Sequence, residues 1–167
     1  MLALRRPALP LLTLLALVPA ASAAAQARGD GGLRVGVQLG GTSFVALAVE
    51  YQEGGRSLDL TVGTWSFRDL SVSLVARQYL GVSAMQPVVG GGLWTVLSWP
   101  GEGERSGASL VARFPIGFDW HAGGGHAIGF DLNVNRALWV RRAGEEDPTP
   151  PNDRLVPLPG VSYRWAW

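Results

Sequence analysis

Apolar residues recur at every second position along most of the chain after residue 32, and small or polar residues occupy the positions between them. From Leu33 to Leu39, leucine and valine alternate with Arg34, Gly36 and Gln38. A period of two places successive side chains on opposite faces of a β-strand, whereas an amphipathic helix repeats every 3.6 residues. The pattern therefore predicts strands that each have one apolar and one polar face.

Eight such segments are separated by pieces rich in glycine, proline and charged residues. The segments are 33–40, 44–51, 58–63, 70–77, 88–99, 110–120, 128–135 and 160–167, and the main turn-rich pieces are 52–56, 100–108, 121–126 and 139–154. A tilted strand needs about 9–11 residues to cross a bilayer. Most of these segments have 8 to 12 residues, close to that length. We therefore expect an all-β fold, an antiparallel up-and-down transmembrane β-barrel of eight strands.

The polar face carries about one charge per predicted strand, and the charges balance. They are Arg34, Glu50, Asp59, Arg77, Arg113, Asp119, Asp131 and Arg164. An eight-stranded barrel encloses a space that its own side chains fill, and charges removed from water must be paired there. We therefore expect this face to line the lumen, with each arginine paired to a carboxylate, and the apolar face to contact lipid.

Tryptophan is frequent, and six of the seven lie at the ends of predicted strands. Trp and Tyr favour the boundary between membrane and water. The aromatic residues with the parity of the apolar face, and hence the expected interface residues, are Tyr51, Trp99, Trp120, Trp165 and Trp167. Trp65, Tyr79 and Trp139 have the other parity, so each needs a β-bulge or must point inward.

The N-terminus has the three parts of a secretory signal peptide. Arg5 and Arg6 precede an apolar run over residues 8–18, and two small-residue cleavage patterns end at Ala23 and Ala25. The run is too short to anchor the chain as a membrane helix. We expect residues 1–25 to be removed on export, leaving a short tail at 26–32 and a barrel domain at 33–167.

The chain ends on an alternating apolar series, Val161, Tyr163, Trp165 and Trp167, with an aromatic residue last. This series resembles the terminal strand of bacterial outer-membrane β-barrels, and residues 33–167 resemble the small eight-stranded members of that group. The resemblance implies an outer-membrane location, lipid as the surroundings and the barrel-assembly machinery as a partner during biogenesis. With both termini in the periplasm, the outer loops would lie near 41–43, 67–69, 100–108 and 139–154, and the first two are short for such barrels.

Candidate catalytic chemistry is sparse. His121 and His126 are the only histidines. Lipid A deacylases carry a serine two residues after the histidine, but Ile128 follows His126 at that spacing. Both histidines fall on an expected periplasmic turn, away from outer-leaflet lipid. We interpret them as polar turn residues and predict no catalytic residues.

Binding motifs are equally weak. The glycine runs at 90–92 and 123–125 lack the Lys and Ser or Thr of a phosphate-binding loop. Asp131, Asn133 and Asn135 could ligate calcium, but they share one strand face instead of wrapping an ion. The acidic residues Glu145, Glu146, Asp147 and Asp153 are expected to form a solvated loop. We predict no metal and no cofactor, and the near-zero charge argues against nucleic acid as a partner.

The sequence as a whole favours a non-enzymatic integral outer-membrane protein. Its role would be structural, or it would present the loop at 139–155 to an extracellular partner. Two alternatives remain open at this point. One is a membrane-embedded lipid-modifying enzyme, and the other is a soluble secreted or periplasmic barrel that binds an apolar ligand.

Overall fold

A computed structural model describes residues 32–99, 106–142 and 154–166, which form a closed all-β barrel. No helix long and apolar enough to cross a bilayer occurs among these residues. The eight strands are β1 (Gly32–Gly40), β2 (Ser43–Glu53), β3 (Arg56–Thr64), β4 (Asp69–Tyr79), β5 (Met85–Ser98), β6 (Gly107–Gly123), β7 (His126–Arg141) and β8 (Val156–Ala166).

The strands follow one another around the barrel in chain order, and each pair is antiparallel. The barrel closes where β8 pairs with β1, from Arg34 opposite Ala166 to Gly40 opposite Gly160. Closure leaves no strand edge with unpaired backbone groups. The predicted eight-stranded antiparallel up-and-down barrel is confirmed.

The two ends of the barrel differ in their connections. At the terminal end, where β1 begins and β8 ends, the hairpins turn at 54–55, 80–84 and 124–125. At the loop end, the connections are 41–42, 65–68, 99–106 and 142–155, and two of these lie partly outside the described residues.

The strands are longer than the alternating pattern predicted, and β6 and β7 extend the furthest. β6 continues through His121 to Gly123, so the expected turn at 121–126 shrinks to Gly124 and Gly125, both with positive φ. β7 continues to Arg141, so the loop expected to begin at residue 139 begins later. The predicted boundaries were wrong there because β6 and β7 keep pairing past the end of their hydrophobic alternation.

Apolar side chains face outward on all eight strands, and polar side chains face inward. Leu47 on β2 is 65% exposed, whereas Glu50 on the same strand is fully buried. On β6, Ile116 is 56% exposed and Asp119 is fully buried. The polarity of this barrel is therefore inverted relative to a soluble β-barrel, whose apolar residues fill the interior.

The three aromatic residues with unexpected parity are accommodated in three ways. Tyr79 points inward and is 4% exposed. Trp65 lies in the connection after β3 and is exposed. Around Trp139 the pairing of β6 with β7 shifts register, which leaves both Leu138 and Trp139 on the outer surface. An extra residue in one strand of this kind is a β-bulge, which re-aims the side chains after it.

Glycine on the inner face allows close approach of neighbouring strands. A Cβ added to Gly117 on β6 would lie 1.9 Å from the carbonyl oxygen of Phe130 on β7. Gly36 on β1 has the same relation to the carbonyl oxygen of Tyr163. Since the obstructing atom is backbone in both cases, a larger residue could fit only if a strand moved.

We expect Gly117→Ala to lower the free energy of unfolding by about 1–3 kcal/mol, because the added methyl group overpacks the contact between β6 and β7. The measurement is urea unfolding of the protein folded in detergent micelles. Gly91→Ala is the matched control, since a Cβ there would meet only Phe114 ring carbons, the nearest at 3.7 Å. Equal stability of the two variants would contradict the close approach.

Candidate functional site: the charged lumen

Charged residues from six strands meet inside the barrel, in the half toward the terminal end. We call them, together with Tyr79, the lumen charge cluster: Glu50, Asp59, Arg77, Tyr79, Asp119, Asp131 and Arg164. Each is at most 8% exposed. The up-and-down topology brings them together from distant parts of the sequence, because inward positions of all eight strands converge on one narrow space.

Arg164 on β8 lies at the centre of the cluster and contacts three carboxylates. Its guanidinium lies 2.9 Å from Asp59 Oδ2, 3.5 Å from Glu50 Oε2 and 3.6 Å from Asp119 Oδ2. It also donates a hydrogen bond to Ser162 Oγ at 2.8 Å. A fully buried cation is tolerated when several anions surround it in this way.

Arg77 on β4 makes the complementary set of contacts. Its Nη2 donates to Asp131 Oδ1 at 2.8 Å, and the same nitrogen lies 3.7 Å from Asp119 Oδ1. Its Nη1 lies 3.8 Å from Asp59 Oδ2. Asp59 and Asp119 are therefore shared between the two arginines, which makes the cluster one network and not a set of separate pairs.

Tyr79 joins two carboxylates of the network. Its hydroxyl donates a hydrogen bond to Glu50 Oε1, and the hydroxyl oxygen of Tyr79 lies 3.1 Å from Asp119 Oδ2. Tyr79 is not part of the predicted set of charged lumen residues. Its inward parity, two residues after Arg77 on one strand, was the signal that could have placed it there.

The remaining two arginines of the predicted set lie at the edge of the cluster. Arg34 lies toward the terminal end, 3.8 Å from Glu50 Oε2, and its side chain is 17% exposed. Arg113 departs from the expected pairing with a carboxylate. It donates to Asn133 Oδ1 at 2.8 Å and to Ser73 Oγ at 2.7 Å, and no described carboxylate forms an ion pair with it. Asp59 and Asp131 attract Arg113 electrostatically, but the neutral side chains of Asn133 and Ser73 accept its hydrogen bonds.

A small recess opens at the terminal end beside the cluster. Its volume is about 40 Å³, and Arg34, Gln52, Tyr79, Gln86 and His121 contribute to its lining. This is room for a few water molecules. His121 Nε2 lies 2.9 Å from Gln86 Oε1. The interpretation of His121 as a turn residue was therefore wrong, because β6 extends and places this ring on the inner face.

His126 was also expected in the turn, but it is the first residue of β7 and lies on the outer surface. Its Nδ1 lies 2.7 Å from the hydroxyl of Tyr163, and its ring stacks on Tyr163 and Trp165. It belongs to an aromatic group on the predicted terminal assembly strand. The recess and this group are on opposite sides of the barrel wall, so the two histidines do not form one site.

Neutral polar residues fill the lumen toward the loop end. Trp94 Nε1 donates to Ser71 Oγ, which in turn donates to the carbonyl of Thr42. Asn135 Nδ2 donates to the carbonyl of Asn133. Hydrogen bonds rather than ion pairs hold this part of the interior together.

Two of the three oxygen ligands considered for calcium, those of Asp131 and Asn133, already have protein partners, whereas the side-chain oxygen of Asn135 accepts no hydrogen bond. Asp131 binds Arg77, and the Asn133 side-chain oxygen accepts from Arg113. In the part of the chain that the structure describes, no group of three or more His, Asp or Glu side chains is arranged to hold a metal ion.

The predicted interface aromatics lie on the outer surface where they are described. Tyr51, Trp99, Trp120 and Trp165 are between 44% and 53% exposed, and Val161 and Tyr163 of the terminal strand are each 43% exposed. Several expectations fall outside the described residues: Trp167, the signal peptide at 1–25, the tail at 26–31 and the acidic residues Glu145, Glu146, Asp147 and Asp153.

Comparison with known proteins gave no match: no family model, no curated protein and no solved structure corresponds to this chain.

We expect Arg164→Ala to lower the free energy of unfolding by about 3–5 kcal/mol, because it strands buried carboxylates without a counter-charge. Arg142→Ala is the control, since Arg142 is exposed beyond the end of β7 and a surface ion pair contributes about 0–1 kcal/mol. Denaturant unfolding in micelles measures both. A loss at Arg164 no larger than that at Arg142 would refute a buried network.

We expect Tyr79→Phe to cost about 1–3 kcal/mol, since it removes the hydroxyl that bridges Glu50 and Asp119 and leaves buried acceptors unsatisfied. Tyr51→Phe makes the same chemical change on the outer surface, where the ring is 53% exposed. That control should stay within about 0.5 kcal/mol of the parent protein. The comparison uses unfolding midpoints, and two equal shifts would exclude a structural role for the bridge.

Proposed function

We propose that this chain is an integral protein of the bacterial outer membrane, without enzymatic activity, whose role is structural or is exercised through its surface loops. The observation that carries the proposal is the inverted polarity of a closed barrel. Leu, Val, Ile and aromatic side chains cover the outside, and the ionic network occupies the inside. This is the arrangement expected of a barrel surrounded by lipid.

Water would be a poor surrounding for this surface. Monomeric soluble proteins seldom expose contiguous apolar patches larger than a few hundred Å². Here apolar outward residues lie opposite one another on neighbouring strands. Leu47 of β2 pairs with Val62 of β3, and Val62 pairs with Val72 of β4. The apolar surface is therefore continuous from strand to strand. A bilayer could cover it without leaving backbone N–H and C=O groups unpaired in the hydrocarbon, because the barrel is closed.

Strand length supports the same proposal. β2, β4 and β8 have 11 residues each. At about 3.3 Å per residue and a tilt of about 40°, such a strand rises about 28 Å along the barrel axis, close to the apolar band of about 25 Å in membrane barrels.

Aromatic side chains lie on the outer surface near both ends. Near the loop end they are Phe44, Trp65, Trp99 and Trp139, and near the terminal end they are Tyr51, Trp120, Tyr163 and Trp165. We propose that these two groups mark the two membrane interfaces, which Trp and Tyr favour. The terminal end would face the periplasm, and the loop end would face outward.

The terminal strand suits recognition during assembly. β8 presents Val161, Tyr163 and Trp165 on one outward row, with the ring of His126 stacked beside it. We propose that the barrel-assembly machinery recognises this row. The chain would reach it after export, directed by the signal peptide at 1–25.

The two alternatives receive less support. In the part of the chain that the structure describes, both histidines lie near the terminal end, far from lipid of the outer leaflet. An apolar ligand would need an apolar interior, whereas most of the buried side chains here are charged or polar. Surface interaction through the loop at 139–155, with an extracellular partner, remains part of the proposal.

Fractionation of cells that express the full chain tests the proposal. We expect the protein in the outer-membrane fraction, soluble only with detergent, and with a gel mobility that changes on boiling as the barrel unfolds. A protein that stays in the periplasmic or secreted fraction, folded without detergent, would refute it. A lipid-hydrolysis assay on the same purified sample separates the structural role from an enzyme.

Leu132→Arg should destabilise the barrel in lipid vesicles by about 2–4 kcal/mol, if this outward residue of β7 lies near the bilayer midplane. Leu80→Arg is the control, because Leu80 lies in a turn at the terminal end and has a similar exposure, 41% against 48%. We expect a cost of about 0–1 kcal/mol there. If the outer surface faced water, neither arginine would change the free energy of unfolding by much. Equal and small effects of the two variants in vesicles would therefore contradict a lipid-facing surface.

A further inference from the structure

The turn between β3 and β4, residues 65–68, presents an apolar side chain from an unusual backbone conformation. Among the described residues, Phe67 is the one residue other than glycine with a positive φ, 60°. Its side chain is 81% exposed, the highest value among the large apolar side chains that the structure describes. The left-handed region costs a bulky residue free energy that glycine would avoid. Such a conformation points to a role for the exposed ring itself.

Hydrogen bonds to two side chains fix the conformation of this turn. Asp69 Oδ1 accepts from the backbone N–H of Trp65 at 2.7 Å. Asp69 Oδ2 accepts from the backbone N–H of Ser66 at 3.0 Å and from the Ser66 hydroxyl at 2.7 Å. The N–H of Phe67 donates to Thr64 Oγ1 at 2.8 Å, and that hydroxyl donates to Asp69 Oδ1 at 3.2 Å. The ring of Phe67 is therefore held by a rigid turn whose carboxylate is already occupied by hydrogen bonds.

Other exposed aromatic rings adjoin the turn. Phe44 near the start of β2 and Trp65 after the end of β3 lie at neighbouring positions of the paired strands, and they are 64% and 41% exposed. On the other side of the turn, the N–H of Trp99 donates to the carbonyl of Arg68 at 2.8 Å, and Trp99 is 52% exposed. We call Phe44, Trp65, Phe67 and Trp99 the aromatic tip.

The connection between β1 and β2 folds inward. Thr42 and Ser43 are fully buried, and the N–H of Gly41 donates to the carbonyl of Pro159 on β8 at 2.8 Å. The carbonyl of Thr42 accepts from Ser71 Oγ on β4 at 2.6 Å, so this turn crosses the lumen. Both loop-end connections of the β1–β4 half are therefore short, and it is the second that exposes apolar rings.

We propose that the aromatic tip is immersed in outer-leaflet lipid, with the ring of Phe67 at the boundary between acyl chains and headgroups. The β3–β4 connection is then a lipid anchor, although the sequence pattern predicted a surface loop near 67–69. The inference rests on the proposed membrane location and adds to it the depth at which one side of the barrel lies.

The reach of the turn supports this position. Phe67 comes two residues after Trp65, and an extended chain advances at most about 7 Å over two residues. The headgroup layer on each side of the hydrocarbon core is about 5–8 Å thick. With Trp65 at the interface, as proposed for the loop-end aromatics, the backbone of Phe67 stays within that layer.

Continuity of the surface favours lipid over an extracellular protein as the partner of the aromatic tip. Leu47 on β2 and Leu97 on β5 are exposed and lie next along the barrel wall from Phe44 and Trp99. The tip therefore passes into the apolar surface assigned to lipid without a polar band between them. A protein-docking site is normally bordered by a polar, solvent-accessible rim.

Site-specific fluorescence quenching tests the proposal, because the chain contains no cysteine and single cysteines can be labelled selectively. The protein is reconstituted in dioleoylphosphatidylcholine vesicles with a bimane label at Phe67→Cys, Ser106→Cys or Leu132→Cys. Ser106 is the water-facing control, exposed in the connection before β6 at the same end of the barrel. Leu132, outward on β7, is the lipid-facing control.

We expect aqueous iodide to quench the label at residue 67 at least about threefold less than the label at residue 106, because an anion enters the acyl layer only at a large cost. A phosphatidylcholine with a doxyl group on its acyl chain should quench the two labels in the reverse order. Arg68→Cys is a second variant, in case the first does not fold. It places the label in the same turn, leaves Phe67 intact and should give the same order for both quenchers.

Other outcomes overturn the proposal. Equal iodide quenching at residues 67 and 106, with residue 132 protected, contradicts this inference alone, since the tip would then face water and be open to a soluble partner. Protection of residue 67 from iodide without quenching by the doxyl lipid also overturns it, because protein would then cover the ring. Iodide quenching at residue 132 as strong as at residue 106 contradicts the membrane location itself.

Discussion

Eight strands that close on themselves enclose a space that only their own side chains can fill, and in this barrel that space holds ions. Arg164 and Arg77 share Asp59 and Asp119 between them, so no member can be removed without leaving a partner uncompensated. Such a network adds less stability than its Coulomb energy suggests, because desolvation opposes it. The network does, however, favour a single strand register, since any slip in the pairing of the strands would separate the charges.

The filled interior determines what the outside must be. Because polar groups occupy most inward positions, the alternate positions are left to the outer face, and apolar residues occupy most of them on all eight strands. The same period of two therefore produces both the ionic lumen and the apolar surface. The alternation is broken at the bulge at Leu138 and at the outward Arg136.

The period of two was enough to predict the strand number, the topology and the inward set of charges, because parity is a local property of a strand. It could not predict which groups meet, since that depends on strand register and on how far each strand is staggered around the barrel. Arg113 meets Asn133 and Ser73 for this reason, although it was expected to meet an acid. The placement of His121 was missed for a related reason, since β6 continues pairing after its hydrophobic pattern has ended.

The lumen is also divided along its axis, and the division follows from the cost of burying charge. The ionic network lies beside the terminal-end recess, where Arg34 and Tyr79 line a space large enough for water. Toward the loop end the interior is held by neutral hydrogen bonds such as that from Trp94 to Ser71. Nearby water screens buried ions and lowers their desolvation penalty, whereas neutral hydrogen-bonded pairs carry no comparable penalty for burial of charge. Among the described inward residues, the carboxylates are therefore concentrated near this mouth, and the buried cation beyond the network, Arg113, is held by the neutral acceptors Asn133 and Ser73.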